Sequence, residues 1–277
     1  MLKKILYLTP ALLLPLLLGS PALADSAQTN SVSSHTGLFN RHHQRDPLTG
    51  TTSSSSTNWS GYAVTGANET YNSVSSSWIQ PAVDCTAVPG NSYSSYWVGL
   101  DGFTSPTVEQ IGTEADCVNH QARYSAWYEM YPSNPYEVGL KLRVNPGNRM
   151  SASVVYTPAT TTTTVRHGRT YVSTTPANYK LTLANNSLGQ SFSTTISPRQ
   201  TYSRSSAEVV TEAPYSGGVL PLADFTVANY TSSLVNGSPM GSLPNLQDVI
   251  MENPAGMIAT PSSFDPTNEN FSVSWSK

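Results

Sequence analysis

The sequence carries little charge and few cysteine or histidine residues. Charged residues make up 11% of its 277 residues, with two cysteines and five histidines. Zinc sites draw on clusters of cysteine and histidine, so we expect no metal site and no cofactor. The formal net charge is −3, and from Asn58 onward there are ten basic and fifteen acidic residues. This balance disfavours a nucleic acid partner.

Long apolar runs are absent beyond the N-terminus. There, Lys3 and Lys4 precede a leucine-rich core that ends in Ala22-Leu23-Ala24, the order of a secretory signal peptide. We therefore expect residues 1–24 to be removed and the mature protein to be secreted, with no membrane association. In an oxidising compartment, Cys85 and Cys117 are expected to form one disulfide.

Residues 25–57 are polar and lack apolar periodicity, which predicts a disordered linker or a prosegment. The segment contains the basic run Arg41-His42-His43-Gln44-Arg45. A solvated tail would explain this run. The alternative hypothesis is that it docks on an acidic cleft of the same chain and is released when the cleft carboxylates become protonated.

Residues 58–277 suit a single all-β domain, because short β-branched and aromatic runs recur between Gly, Pro, Asn and Ser. The strands are predicted at 93–100, 124–131, 138–144, 150–157, 179–184, 191–196, 207–212, 225–230 and 271–275. Threonines 160–164 indicate a hairpin edge, and 243–251 could form one or two helical turns. Two large antiparallel sheets packed as a sandwich, one of them curved to leave a groove, are the expected architecture.

The two-residue period of a strand predicts which side chains share a face. It places Trp127 beside Glu129 on one strand, and Glu208, Val210 and Glu212 together on another. Two carboxylates on one face are not typical of a core, and solvent exposure is their simplest explanation.

Several catalytic motifs are missing. There is no H-E-x-x-H, and Gly237–Gly241 reads G-S-P-M-G rather than G-x-S-x-G. Asp101 is followed by Gly102 and Phe103, so the Asp-Thr-Gly of an aspartic dyad is also missing. From residue 58 onward only His120 and His167 could serve as bases, and His167 lies in a turn-like run. Carboxylate and amide chemistry remains.

Six blocks occur in an order that resembles the glutamic peptidases (eqolisins, peptidase family G1), secreted acid endopeptidases best known from fungi. The blocks are N-W-S-G-Y-A at 58–63, W-I-Q-P at 78–81, W-V-G-L-D-G at 97–102, Q-I-G at 110–112, A-W-Y-E-M-Y-P at 126–132 and A-E-V-V-T-E at 207–212. The resemblance implies a concanavalin-like sandwich and polypeptide substrates. Met130 and Ser60 depart from the fungal pattern, which indicates a prokaryotic member.

By this resemblance Gln110 and Glu212 are the catalytic pair, while Trp97, Trp127 and Glu129 line the substrate cleft. Glu212 would activate a water and then protonate the leaving amine, while the Gln110 amide would stabilise the oxyanion. Acid preference requires further carboxylates, and Glu208 and Glu129 are the candidates. Asp101 is expected to be structural, and Glu109 to face away from Gln110. We expect a monomer whose partners are its polypeptide substrates and, in the precursor, its own prosegment.

Two other functions fit part of the pattern. A glycoside hydrolase could pair Glu129 with Glu208 or Glu212, although Gln110 would then have no role. A carbohydrate-binding module would explain the tryptophans and tyrosines as sugar platforms, and it would require neither Gln110 nor Glu212.

Overall fold

The computed structural model describes residues 39–45, for which only the backbone strand is given, and residues 52–276. The chain divides into two compact units, Met1–Ser31 and Val32–Lys277, and the first lies wholly outside the described residues. The predicted signal peptide, 1–24, therefore also lies outside them. In the described part, no helix is long and apolar enough to cross a membrane.

The described chain is built almost entirely of strands. In chain order they are β1 Phe39–Arg45, β2 Thr52–Ser56, β3 Trp59–Thr65, β4 Ser73–Ile79, β5 Ser95–Leu100, β6 Val108–Val118, β7 Gln121–Tyr131, β8 Tyr136–Glu137, β9 Arg149–Thr157, β10 Thr160–Arg166, β11 Arg169–Thr175, β12 Asn178–Asn185, β13 Gln190–Ile196, β14 Ser206–Glu212, β15 Val227–Val235, β16 Ser238–Pro239, β17 Leu246–Asn253, β18 Gly256–Pro261 and β19 Phe271–Trp275. Short 3-10 turns occur at Gly139–Lys141 and Met240–Ser242.

The strands pair into two layers. The first, here called the front sheet, runs in the order β1-β2-β17-β3-β14-β5-β6-β7-β8. The back sheet runs β18-β19-β15-β4-β9-β12-β13, with β16 beside β15. The β17–β18 hairpin joins the two. Apart from the parallel β2–β17 pair these ladders are antiparallel, so the predicted all-β fold of two large antiparallel sheets is confirmed.

The two faces of the front sheet carry different clusters. Val98, Ile111 and Val209 belong to the main core, together with Trp78 and Met150 of the back sheet. Alternate positions on the other face form a second cluster: Trp59, Ala63, Trp97, Val108, Trp127, Val210 and Val249. We call this second face the site face. Because neighbouring residues alternate between clusters, the predicted two-residue period of β7 and β14 is confirmed.

Two predicted elements were wrong. Residues 138–144 are not a strand but contain the 3-10 turn Gly139–Lys141; Val138 and Leu142 are buried there, and Gly139 has a φ of 63°. The error arose because these apolar residues are buried although their backbone is not extended. Residues 243–251 fall largely on β17 instead of a helix, because the buried residues Leu246, Val249 and Met251 point into layers on either side of the sheet.

The strands of the front sheet begin before residue 58, where the sequence predicted the domain to start. Thr52–Ser56 forms β2, which pairs with both β1 and β17, and Ser54, Ser55 and Ser56 are buried. A serine run gives no apolar signal, yet its backbone groups complete the ladder next to β17. The basic run 41–45 lies on β1, and its side chains are outside the described residues.

The predicted hairpin and disulfide are confirmed. β10 and β11 pair with each other as a separate exposed ribbon, and His167 and Gly168 turn it with φ values of 50° and 73°. Positive φ at both central residues is the geometry of a tight hairpin turn. Cys85 and Cys117 are disulfide-bonded, which ties the segment after β4 to β6.

Candidate active site

Three rows of side chains cross the site face from β14 through β5 and β6 to β7. The rows are Glu208–Gly99–Gln110–Glu129, Val210–Trp97–Gly112–Trp127 and Glu212–Ser95–Glu114–Ser125. The ladders therefore bring every residue of the predicted site onto one face.

Gly99 makes room for the side chains around it. A Cβ atom at this position would lie 2.8 Å from Cζ3 of Trp97 and 3.2 Å from Cβ of Gln110. The Trp97 ring therefore lies over the glycine, between the rows that hold Gln110 and Glu212. A glycine is needed here because of close packing.

Both oxygens of the Glu212 carboxyl accept hydrogen bonds. Trp97 donates its indole N–H to Oε2 at 2.8 Å, and Asn58 donates its side-chain N–H to Oε1 at 3.1 Å. Glu212 itself is 0% exposed. A buried carboxylate needs such donors to offset the loss of water, and N–H groups stabilise its charged form.

Gln110 is held by its neighbour in the row. Its Nε2 donates to Oε2 of Glu129 at 2.8 Å. An amide nitrogen carries two hydrogens, so this bond fixes the direction of the amide while the second hydrogen points elsewhere. Glu129 therefore orients Gln110 as well as lining the face.

The tryptophans pack against each other and are anchored by polar contacts. Trp59 and Trp97 meet edge to face with ring centroids 4.8 Å apart. Trp127 donates its indole N–H to Oγ of Ser95 at 3.0 Å. Ser95 pairs with Glu212 in the ladder, so Trp97 contacts Glu212 directly and Trp127 contacts the residue paired with it.

Glu208 is in a different environment from Glu212. It is fully buried, and neither of its oxygens makes a hydrogen bond of normal geometry. Burial raises the pKa of Glu208 well above its ordinary value, and the charge of Asp101 adds to the effect; the nearby Ser206 hydroxyl and Phe103 backbone offset only part of it. The same strand thus carries one carboxyl held by donors and one that favours its neutral form.

Asp101 is structural and Glu109 points away from Gln110, as predicted. Asp101 is buried with a φ of 67° and accepts the backbone N–H groups of Arg204 at 2.6 Å and Ser205 at 2.9 Å. It therefore closes a loop and is structural. Glu109 points to the face opposite Gln110, where it is buried with neither oxygen hydrogen-bonded. Burial, followed by the charges of Asp101 and Glu208, raises the pKa of Glu109 well above its ordinary value.

The expectation of exposed carboxylates was wrong. Glu208, Glu212 and Gln110 are each 0% exposed, and Glu129 is 1% exposed.

Gln110 and Glu212 are not neighbours in the ladder. β5 lies between their strands, and Glu212 is four residues along β14 from Glu208, which shares the row of Gln110. A group that contacts both side chains would therefore lie above Trp97.

Asn58 and Ser95 were not identified as site residues from the sequence. Asn58 opens the block N-W-S-G-Y-A, and its position immediately before a buried tryptophan was the available signal. Ser95 is a small residue in an apolar strand, where only the register with Glu212 reveals its place. Among the described residues, no group of three or more His, Cys, Asp or Glu could hold a metal ion.

Solved structures of similar fold are glutamic peptidases. Scytalido-glutamic peptidase with a transition state analog inhibitor gives a TM-score of 0.63 at 22% identity, covering 79% of this chain and 98% of that one. SCP-B, described as a member of the eqolisin family in complex with a tripeptide, gives 0.59 at 21% identity with the same coverage. Aspergilloglutamic peptidase from Aspergillus niger gives 0.50 at 21% identity, covering 67% and 99%. At such identities the likeness shows the fold.

Sequence comparison gives the family. No curated protein sequence matches this chain. The profile of the Peptidase A4 family, however, matches residues 57–172 and 169–243, which together make up more than half of the chain. The chain therefore belongs to the Peptidase A4 family, the glutamic peptidases or eqolisins, and is a hydrolase of the glutamic endopeptidase type.

Proposed function

We propose that the protein is a secreted endopeptidase that hydrolyses peptide bonds at acid pH with Gln110 and Glu212. Glu212, as carboxylate, takes a proton from a water that attacks the scissile carbonyl. The side-chain amide of Gln110 donates a hydrogen bond to the developing oxyanion. Glu212 then delivers the proton to the departing amine, which returns the carboxylate to its starting form.

The observation that carries this proposal is the pair of donors on Glu212. Trp97 and Asn58 each donate to one of its oxygens, which suits a base that must be charged before reaction. Glu208 on the same strand has no such bonds and favours its neutral form. Opposite environments for two nearby carboxyls separate the base from its neighbour.

Glu129 has a second role in the proposal. Its carboxyl accepts one hydrogen of the Gln110 amide, so the other hydrogen has a fixed direction. Pre-oriented donors stabilise an oxyanion without reorganising during the reaction. Glu208 and Glu129 are the candidates for the acid dependence that Gln110 and Glu212 lack: both lie on the buried face, and Glu208 favours its neutral form.

The test is cleavage of a denatured protein at about pH 3 to 4, near or below the ordinary pKa of a glutamate side chain. Pepstatin, a chelator and serine and cysteine reagents are all present. The parent enzyme should cleave, Glu212→Gln should lose roughly 10² to 10⁴ in kcat, and Gln110→Ala should lose roughly 10² to 10³.

Glu269→Gln is the matched control, because Glu269 lies just before β19 in the back sheet. It should cleave at the parental rate. Full activity of Glu212→Gln, or no cleavage at any acid pH by the parent after removal of the residues before β2, would refute the proposal. Hydrolysis of a polysaccharide in place of protein would favour the glycoside hydrolase alternative.

We also propose that residues 25–51 act as an inhibitory prosegment of the secreted precursor. One observation supports this: β1, which carries the basic run, pairs with β2 at the edge of the front sheet. Replacing Arg41, His42, His43 and Arg45 by neutral residues should then make the precursor active at higher pH. Unchanged latency in that variant would refute this role.

A further inference from the structure

Asn58 occupies the short connection between β2 and β3, next to the catalytic strand. Its backbone carbonyl accepts the N–H of Ala213 at 2.8 Å, immediately after Glu212. Its side chain is 0% exposed. The backbone of the connection is thus tied to β14 at the position where the catalytic carboxyl emerges.

The orientation of the Asn58 amide is fixed by Ser56. The Ser56 hydroxyl donates to Oδ1 of Asn58 at 3.2 Å and accepts the backbone N–H groups of Asn58 at 3.3 Å and Trp59 at 3.0 Å. With its oxygen directed to Ser56, the amide presents Nδ2 to Oε1 of Glu212, 3.1 Å away. A side-chain amide that faces an acceptor-only carboxylate must present its nitrogen.

We propose that Asn58 is a positioning residue for the catalytic reaction, which holds the Glu212 carboxylate in the orientation required to accept a proton from water. This inference rests on the proposed role of Glu212. Trp97 fixes Oε2 and Asn58 fixes Oε1, so the two donors together determine the plane of the carboxyl group. Donors on both oxygens restrain rotation of the carboxyl group about its last bond.

Other carboxyls lie near Glu212, so the contribution of Asn58 to the charged form of Glu212 should be measurable. Glu114 lies in the same ladder row as Glu212, Glu208 lies four residues along β14, and Glu129 is on β7 of the same face. These are carboxyls, and any that ionises disfavours the charge on Glu212. The Asn58 donor opposes that effect directly, at the oxygen that Trp97 does not contact.

The test compares Asn58→Ala and Asn58→Asp with the parent over the full acid range. Loss of a hydrogen bond to a charged group predicts a fall in kcat of roughly 10- to 100-fold for Asn58→Ala, with KM changed by less than about threefold. In Asn58→Asp two carboxyls meet at hydrogen-bond distance and cannot both ionise readily. The acid limb of its kcat profile should therefore move to higher pH by roughly one unit or more.

Asn185→Ala is the matched control. Asn185 is also 0% exposed and also donates through its amide, to the Arg143 carbonyl and to Asn148 at 2.7 Å each, but it lies on β12 of the back sheet. It should lower the melting temperature without moving the pH profile. If the Asn58 variants lower the melting temperature and leave the kcat profile in place, Asn58 is structural only and the inference is overturned.

Glu212→Gln, measured in parallel, separates this inference from the proposed function. An inactive Glu212→Gln with unaltered kinetics in Asn58→Ala would overturn the positioning role alone. An active Glu212→Gln would remove the proposed base, and the role of Asn58 with it. Circular dichroism of each variant at the assay pH identifies those that fail to fold, and Asn58→Asp, nearly isosteric with the parent, keeps the test available if Asn58→Ala does not fold.

Discussion

The indole N–H of Trp97 donates a 2.8 Å hydrogen bond to Oε2 of Glu212. The bond crosses from β5 to β14, and both side chains are fully buried. Trp97 thus contacts the Glu212 carboxyl directly, in addition to forming part of the apolar cluster on the site face.

Trp97→Phe keeps the aromatic ring and removes this donor. We expect kcat to fall roughly 10- to 100-fold, because a hydrogen bond to a charged group is lost. Steady-state kinetics against a peptide substrate at several acid pH values measure the effect. Trp78→Phe is the control: it removes the indole bond to Thr113 in the main core, so it should cost stability and leave the pH profile unmoved.

Glu208→Gln distinguishes the two glutamates of β14. The buried Glu208 carboxyl favours its neutral form, and glutamine reproduces that form without the ability to ionise. The variant should stay within about tenfold of parental kcat at low pH, and activity should extend to higher pH, because no charge develops beside Gln110. A loss as large as that of Glu212→Gln would instead make Glu208, which shares the row of Gln110, the general base.

The buried carboxyl of Glu109 should make the free energy of unfolding depend on pH. Burial raises the pKa of Glu109 in the folded state above its ordinary value near 4.5, so folding favours the protonated form. The associated stability is fully present below about pH 4.5 and is lost as pH rises towards the folded pKa, by at most about 1.4 kcal/mol per pH unit for one group. Glu109→Gln should therefore flatten the fall in urea midpoint between acid and neutral pH. A midpoint that falls as steeply as in the parent, with Glu269→Gln as control, would contradict this assignment.

Removal of the disulfide should destabilise the folded domain. Cys85 and Cys117 are 32 residues apart in sequence, and closing a loop of that length restricts the unfolded chain by about 3 to 4 kcal/mol in a chain-entropy model. The double variant Cys85→Ser, Cys117→Ser should lose about that much free energy of unfolding in urea titrations. The pH profile of kcat should not change, because the bridge lies at the far end of β6 from Gln110. A profile that moves would contradict the purely structural role.

Much of the fold follows from the sequence because strand periodicity is local. The alternation that separates Val209 from Val210 also separates Trp127 from Tyr128, and the structure assigns these residues to opposite faces. The hairpin around His167 and Gly168 was predictable for the same reason, since its turn depends on adjacent residues. Where apolar residues were buried without extended backbone, as at Val138 and Leu142, the same reasoning failed.

The site was predictable only in part. The resemblance identified Gln110 and Glu212, which share a face, but their burial and the contacts of Asn58 depend on strands distant in sequence. Asn58 and Glu212 are 154 positions apart, and the amide direction is decided by Ser56 in a serine run that looked like a linker. No local pattern encodes such a contact, because it depends on the register of β3 and β14.

The parallel pairing of β2 with β17 links the segment before Asn58 to a strand near the other end of the domain. Gln247 to Met251 must be available before Thr52 to Ser56 can complete their ladder, and Asn58 follows directly on that strand. Pairings between such distant segments must close a long loop, which slows folding. A chain truncated before Gln247 would therefore lack the ladder that holds β2 in place beside Asn58.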